Sequence, residues 1–145
     1  MFVGLAAVFA SLAIPFAFDN RVTAALWSVE GALVYWLGIE QRTPAMRVFA
    51  LLLQVAAGVL FIVHGVQGDD DRLFLNAFFI GAAMLAAAGV ATAWLADARP
   101  AVLGARERVT VPLVFAWGAL WWLAAGGLEL VRQLPAAQEA HAVLA

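Results

Sequence analysis

Glu30 is the charged residue with the most unusual position in this sequence, because it lies near the middle of the apolar segment 22–39. A carboxylate at the centre of a bilayer costs about 2.5–3.5 kcal/mol, so we expect it to face other helices and to be protonated and hydrogen-bonded. Gln54 lies at a matching position in the next apolar segment and is the predicted partner. Two interpretations stay open: a proton-relay or ligand-coordinating carboxyl, or an interhelical hydrogen bond that fixes packing.

A second group of polar residues lies near the ends of apolar segments that are predicted to reach the same side of a membrane. This outer-side cluster consists of His64, Asn76, Glu129 and Arg132. Arg132 follows Glu129 by one helical turn, so the two side chains are placed to pair. The alternative is that each side chain reaches lipid headgroups or a neighbouring loop.

Residue sets for familiar catalytic chemistry are missing from the sequence. It has two His in no paired spacing, no Cys and no Lys, so zinc motifs, thiol nucleophiles and Schiff-base lysines are excluded. Its serines, Ser11 and Ser28, have no His at comparable depth to act as a base. We therefore predict no enzymatic activity, no metal site and no cofactor.

The elements that position these residues follow from the composition. Of 145 residues, 66% are hydrophobic and 12% are charged, and the mean hydropathy is +0.94. A soluble domain of this size would leave large apolar patches in water, whereas a bilayer accepts them. A net charge of −2 without a basic stripe argues against nucleic acid as a partner.

Long apolar runs with at most one charge divide the chain into five predicted membrane spans. They cover residues 1–18, 22–39, 46–67, 73–96 and 109–131 within a single domain, 1–133, followed by a short tail, 134–145. The tail is either disordered or an interfacial helix. Short connections favour antiparallel neighbours. The predicted fold is therefore an all-α membrane protein, with about five transmembrane helices in an up-down antiparallel bundle.

Arginine positions predict the orientation of this bundle. Five arginines fall on the side of the N-terminus and three on the other, which favours a cytoplasmic N-terminus. Tyr35, Trp36 and Trp94 lie near the predicted cytoplasmic ends, as interfacial anchors do. The deeper tryptophans, which are Trp27, Trp117, Trp121 and Trp122, are more typical of packing.

Small residues at helical spacing predict close helix contacts. Ala77 with Gly81 and Gly89 with Ala93 are four residues apart in the fourth span. Gly118, Trp122 and Gly126 share a face of the fifth span.

One stretch resembles a known family. The stretch consists of an apolar helix that ends in Ile14-Pro15, a Thr23-Ala24 turn, and a helix that contains Trp27-x-x-Glu30-Gly31 and is followed by a basic residue. In these features the sequence resembles the large bacterial predicted membrane proteins grouped as Domain of Unknown Function 2339. The resemblance is best over residues 13–64 and extends through Leu95. It assigns the motif to Trp27, Glu30 and Gly31. Family members are usually longer, which implies a short member or a segment of a larger protein, and the family supplies no activity.

Two functions remain open from the sequence. The favoured one is a structural or assembly module of the bacterial inner membrane, whose partners are the lipid bilayer and further helices of a larger protein or a homo-oligomer. The alternative is part of a transporter or channel-like protein that uses Glu30 as an intramembrane proton or ligand site. A sealed Glu30 favours the first, and a water-accessible path to Glu30 favours the second.

Overall fold

The computed structural model describes residues 20–65 and 76–144, and the side chains of residues 23–63, 76 and 78–131. Every long element in this part of the chain is an α-helix, which confirms the all-α prediction there. The helices are α1 (Asn20–Glu40), α2 (Pro44–Gly65), α3 (Ala77–Asp97) and α4 (Ala105–Leu144), with a 3-10 helix at Pro100–Val102 between α3 and α4. The predicted first span, 1–18, lies outside the described residues.

Three of the described helices are long and apolar enough to cross a membrane. The candidate spans are Pro44–Val63, Phe78–Asp97 and Ala105–Val131, which match the predicted third, fourth and fifth spans. Helix α1 coincides with the predicted second span, 22–39, but is not among the three. Helix α4 continues to Leu144, so the backbone of the predicted tail is helical as far as that residue.

A left-handed residue ends α1 and turns the chain into α2. Arg42 has φ 51°, the Thr43 N–H donates to the Gly38 carbonyl at 2.9 Å, and the Arg42 N–H donates to the Ile39 carbonyl at 3.1 Å. This pair of bonds is the Schellman motif, which satisfies carbonyls that the helix end leaves open. Pro44 then begins α2, because its fixed φ suits the first helical turn.

Helices α1 and α2 pack as one antiparallel hairpin. Gly31 lies against Ala50 and Gln54, while Gly38 lies against Met46 and Arg47, so the contacts run in opposite directions along the two helices. A Cβ on Gly31 would lie 2.6 Å from Gln54 Cγ. The missing side chain is therefore what lets α2 come this close.

Helices α3 and α4 form the second hairpin, and its closest approach is glycine on glycine. A Cβ built on Gly118 would lie 2.7 Å from the Val90 nitrogen, and one built on Gly89 would lie 2.8 Å from Gly118 Cα. The packing predicted for Gly89 and Gly118 is thus present. The rest of the fifth-span face differs: a Cβ on Gly126 would meet nothing within 4 Å, and Trp122 is exposed.

Aromatic rings fill the space where the two hairpins meet. Phe61 of α2 packs edge-on against Trp121 of α4 at 5.5 Å between centroids and lies 5.3 Å from Phe78 of α3. Trp117 packs edge-on against Trp121 at 5.7 Å and lies over Gly58. The predicted packing role therefore holds for Trp117 and Trp121.

Two of the three predicted aromatic anchors are exposed and the third is buried. Trp36 and Trp94 are exposed, as residues at an interface should be. Tyr35 is buried in a core cluster with Val34, Ile39 and other apolar residues, so the anchor prediction is wrong for Tyr35. Its place on the helix, one position before Trp36, turns it toward the neighbouring helices.

Candidate functional site

A buried hydrogen bond between side chains joins the two hairpins. The Gln54 amide donates from Nε2 to Thr92 Oγ1 at 2.6 Å, and both side chains are buried. Gln54 packs against Gly31, and the preceding residue, Glu30, has a buried carboxylate oxygen, Oε2. Family-motif residues of α1 therefore lie beside the polar contact between α2 and α3.

The sequence analysis paired Gln54 with Glu30, which stays a prediction, and did not consider Thr92. A signal for Thr92 was present, because it is the single hydroxyl side chain in the apolar stretch 77–96. A polar group in such a stretch needs a partner, since an unsatisfied group in an apolar surrounding is costly. Gln54 on the adjacent helix supplies that partner.

A second polar contact closes the end of the bundle at which α1 meets α2. Arg47 is 3% exposed, and it donates from Nε and Nη2 to the two carboxylate oxygens of Glu107 at 3.0 and 2.9 Å. Its remaining nitrogen, Nη1, donates to the Gly38 carbonyl at 2.9 Å. One guanidinium thereby ties α1, α2 and α4 together in the planar, two-pronged geometry that suits carboxylates.

Glu107 also caps the helix on which it stands. Its Oε2 accepts the Gly104 N–H at 2.7 Å, just before α4 begins at Ala105. An acid three residues after the cap position often reaches back in this way, and its charge suits the helix N-terminus. The sequence prediction counted Arg47 as a loop charge and did not single out Glu107. Both residues lie beside loops, where charge is ordinary, so their type gave no sign of burial.

A third polar contact lies at the opposite end of the bundle. The Asn76 side chain donates from Nδ2 to Glu129 Oε2 at 2.9 Å, and both residues are buried. Asn76 also caps α3, since its Oδ1 accepts the Phe79 N–H at 2.7 Å. The structure thus brings together two of the four residues of the outer-side cluster.

The other two residues of that cluster are described only by their backbones. His64 lies in the last turns of α2, and Arg132 lies in α4. Their side chains are outside the described residues, so the predicted pairing of Arg132 with Glu129 stays a prediction.

The polar side chains in these three contacts bond to each other across helix interfaces. Each contact is a hydrogen bond or ion pair between helices, and within the described residues no three His, Asp or Glu side chains are grouped to hold a metal ion. A groove of about 240 Å³ between α2 and α4 reaches Gln54 and Trp117. The interior therefore holds polar groups that link helices, and one of them borders a surface groove.

The sequence matches the model of a protein family. No curated protein and no solved structure matches the sequence. A family model described as "Predicted membrane protein (DUF2339)" matches residues 1–145. The match covers the whole printed sequence and so extends past residue 95, where the motif resemblance ends. This chain belongs to the DUF2339 family of predicted membrane proteins.

Proposed function

We propose that this chain is a structural or assembly module of the bacterial inner membrane and has no catalytic activity. It folds as an up-down antiparallel bundle of about five spans, in which α1 is the second span and the N-terminus is cytoplasmic. Its partners are lipid and further helices, supplied by a second copy or by a larger protein.

The outer face of α4 is the observation that carries this proposal. Only 17% of the most apolar window in Ala105–Val131 is buried inside the chain, against 39% in Pro44–Val63 and 44% in Phe78–Asp97. Small residues on this face, Ala116, Ala124 and Gly127, are exposed together with large apolar ones. Exposed small residues allow a second helix to approach closely, which is how helices associate in lipid.

The buried polar contacts support the same function. Hydrogen bonds between helices join Arg47 to Glu107, Gln54 to Thr92 and Asn76 to Glu129. Side chains used in this way fix the relative positions of helices. A rigid bundle with one apolar outer face suits a module that other helices pack against.

Cysteine crosslinking tests the assembly proposal directly. The sequence has no Cys, so Ala124→Cys introduces a single thiol on the outer face of α4. Leu52→Cys on α2 is the matched control, because Leu52 is also exposed but lies on another helix. We expect oxidation in membranes to yield a disulfide-linked dimer from Ala124→Cys, and Gly127→Leu to suppress it. Equal crosslinking from both positions, or none from Ala124→Cys, would contradict assembly through α4.

The alternative is that the chain is part of a transporter or channel-like protein in which Glu30 binds a proton or ligand. One observation favours this alternative. Glu30 has a buried carboxylate oxygen and precedes Gly31, which packs on Gln54. Gln54 in turn borders the groove between α2 and α4. Proteoliposomes containing a pH-sensitive dye test it. A proton flux abolished by Glu30→Gln and retained in Glu40→Gln would favour transport over the structural function.

A further inference from the structure

A second groove lies where the α3–α4 hairpin turns. It has a volume of about 570 Å³ and an apolar lining that includes Val90, Ala93, Leu103, Val111 and Phe115. This volume falls within the range of about 300–1,000 Å³ that is usual for small-molecule sites. The groove is therefore large enough to hold a substantial part of an amphiphile.

Two opposite charges line the same groove without pairing. Asp97 and Arg108 both contribute to its lining, and neither is in an ion pair with any described residue. Arg108 donates from Nε to the Leu103 carbonyl at 3.4 Å, a weak bond that leaves its two terminal nitrogens available. The groove thus combines an apolar floor with one negative charge, on Asp97, and one positive charge, on Arg108.

The other charges near this hairpin are paired or lie away from the groove. Arg99 bonds to Glu40, and Glu107 bonds to Arg47. Arg106 is exposed on the first turn of α4 and does not line the groove. Asp97 and Arg108 are therefore the charges that a ligand in the groove would meet.

The depth of the groove matches that of lipid headgroups. Asp97 is the last residue of the candidate span Phe78–Asp97, and Arg108 lies in the first turn of Ala105–Val131. Trp94 also lines the groove and is 68% exposed. Tryptophan at the end of a span is typical of the membrane–water interface.

We propose that this groove binds one phospholipid whose headgroup carries both a phosphate and a primary ammonium, as in phosphatidylethanolamine. Arg108 holds the phosphate, Asp97 accepts N–H bonds from the ammonium, and an acyl chain lies on the apolar floor. A phosphatidylglycerol headgroup offers no cation to Asp97. A phosphatidylcholine headgroup offers a cation without an N–H donor, so it binds Asp97 less well.

Lipid retention in nanodiscs tests this proposal. The purified protein is placed in nanodiscs of equimolar phosphatidylethanolamine, phosphatidylcholine and phosphatidylglycerol, transferred to detergent, and examined by native mass spectrometry for bound lipid. We expect phosphatidylethanolamine to be retained about threefold over either competitor, which is the scale of one solvent-exposed charge contact. Arg108→Gln should lower retention of all three lipids, whereas Asp97→Asn should remove the preference for phosphatidylethanolamine over phosphatidylglycerol.

Two further variants make the outcome decisive. Arg106→Gln removes an exposed charge from the same helix turn without altering the groove, and it should leave retention unchanged. Val90→Phe narrows the groove without changing charge, and it should lower retention of every lipid. Equal retention of the three lipids by the wild-type protein, or an equal loss in Arg106→Gln and Arg108→Gln, would overturn the proposal.

Discussion

The Arg47–Glu107 ion pair is expected to contribute more to stability than any other charged contact among the described residues. Arg47→Leu removes three hydrogen bonds from a guanidinium that is almost fully buried. Losing one partner of a buried pair costs about 3–5 kcal/mol. Glu107 keeps 23% of its side-chain surface exposed and regains some hydration, so we expect the lower end, about 3 kcal/mol.

A double-mutant cycle isolates the pair from other effects of the substitution. Glu107→Gln is the second variant, because a Gln oxygen still accepts the Gly104 N–H that caps α4. We expect a coupling free energy of about 2 kcal/mol, within the range for residues in direct contact. The matched control is Arg99 with Glu40, whose side chains are 44% and 45% exposed. An exposed pair of this kind should couple by at most about 1 kcal/mol.

The assay is equilibrium unfolding in mixed micelles, with SDS added stepwise and tryptophan fluorescence as the signal. Six tryptophans report on the transition, and neither cycle alters one of them. If Arg47 and Glu107 couple no more strongly than Glu40 and Arg99, the claim that burial strengthens this ion pair is wrong.

Three further predictions use the same unfolding assay. Gly118→Ala should lower the free energy of unfolding by about 1–3 kcal/mol through overpacking. Gly126→Ala is the control and should not lower it, since a Cβ at that position would meet nothing within 4 Å. Equal effects of the two substitutions would argue against the close α3–α4 approach. Arg42→Gly should raise stability by about 1 kcal/mol, because glycine adopts positive φ without strain, and a loss would show that the Arg42 side chain matters more. Thr92→Val should lower stability by about 0.6 kcal/mol, the average for a hydrogen bond between helices in membranes, and this loss should largely disappear when Gln54 is already Leu.

Hydropathy was sufficient to predict the helices of the described part. The predicted spans 46–67, 73–96 and 109–131 each overlap a candidate span, because only a helix satisfies its own backbone in hydrocarbon. Helix α1 was also predicted, and its bounds differ from 22–39 by two residues or fewer. Glycine spacing also predicted the helix contact at Gly118, because two helix backbones can approach closely only where side chains are small or absent.

The polar contacts were harder to predict because pairing depends on tertiary geometry. Antiparallel topology was enough to place Asn76 and Glu129 at one level, and they bond there. The same topology also puts Arg47 and Glu107, separated by 60 residues, on one side of the membrane, but both lie beside loops and nothing in their type distinguished them from the other charges there. A charge near a loop is ordinarily solvated, so only the approach of α1, α2 and α4 explains its burial.

Arg47 acts at two stages in the life of the chain. In the proposed topology, α1 and α2 enter the membrane before Glu107, 60 residues beyond Arg47, is synthesised, so at that stage Arg47 is a positive charge without this partner, beside a short loop. Such charges influence the orientation of membrane helices. When α4 arrives, the same guanidinium becomes the group that joins three helices. A substitution at position 47 would therefore affect both insertion and stability, whereas Glu107→Gln would affect only the second.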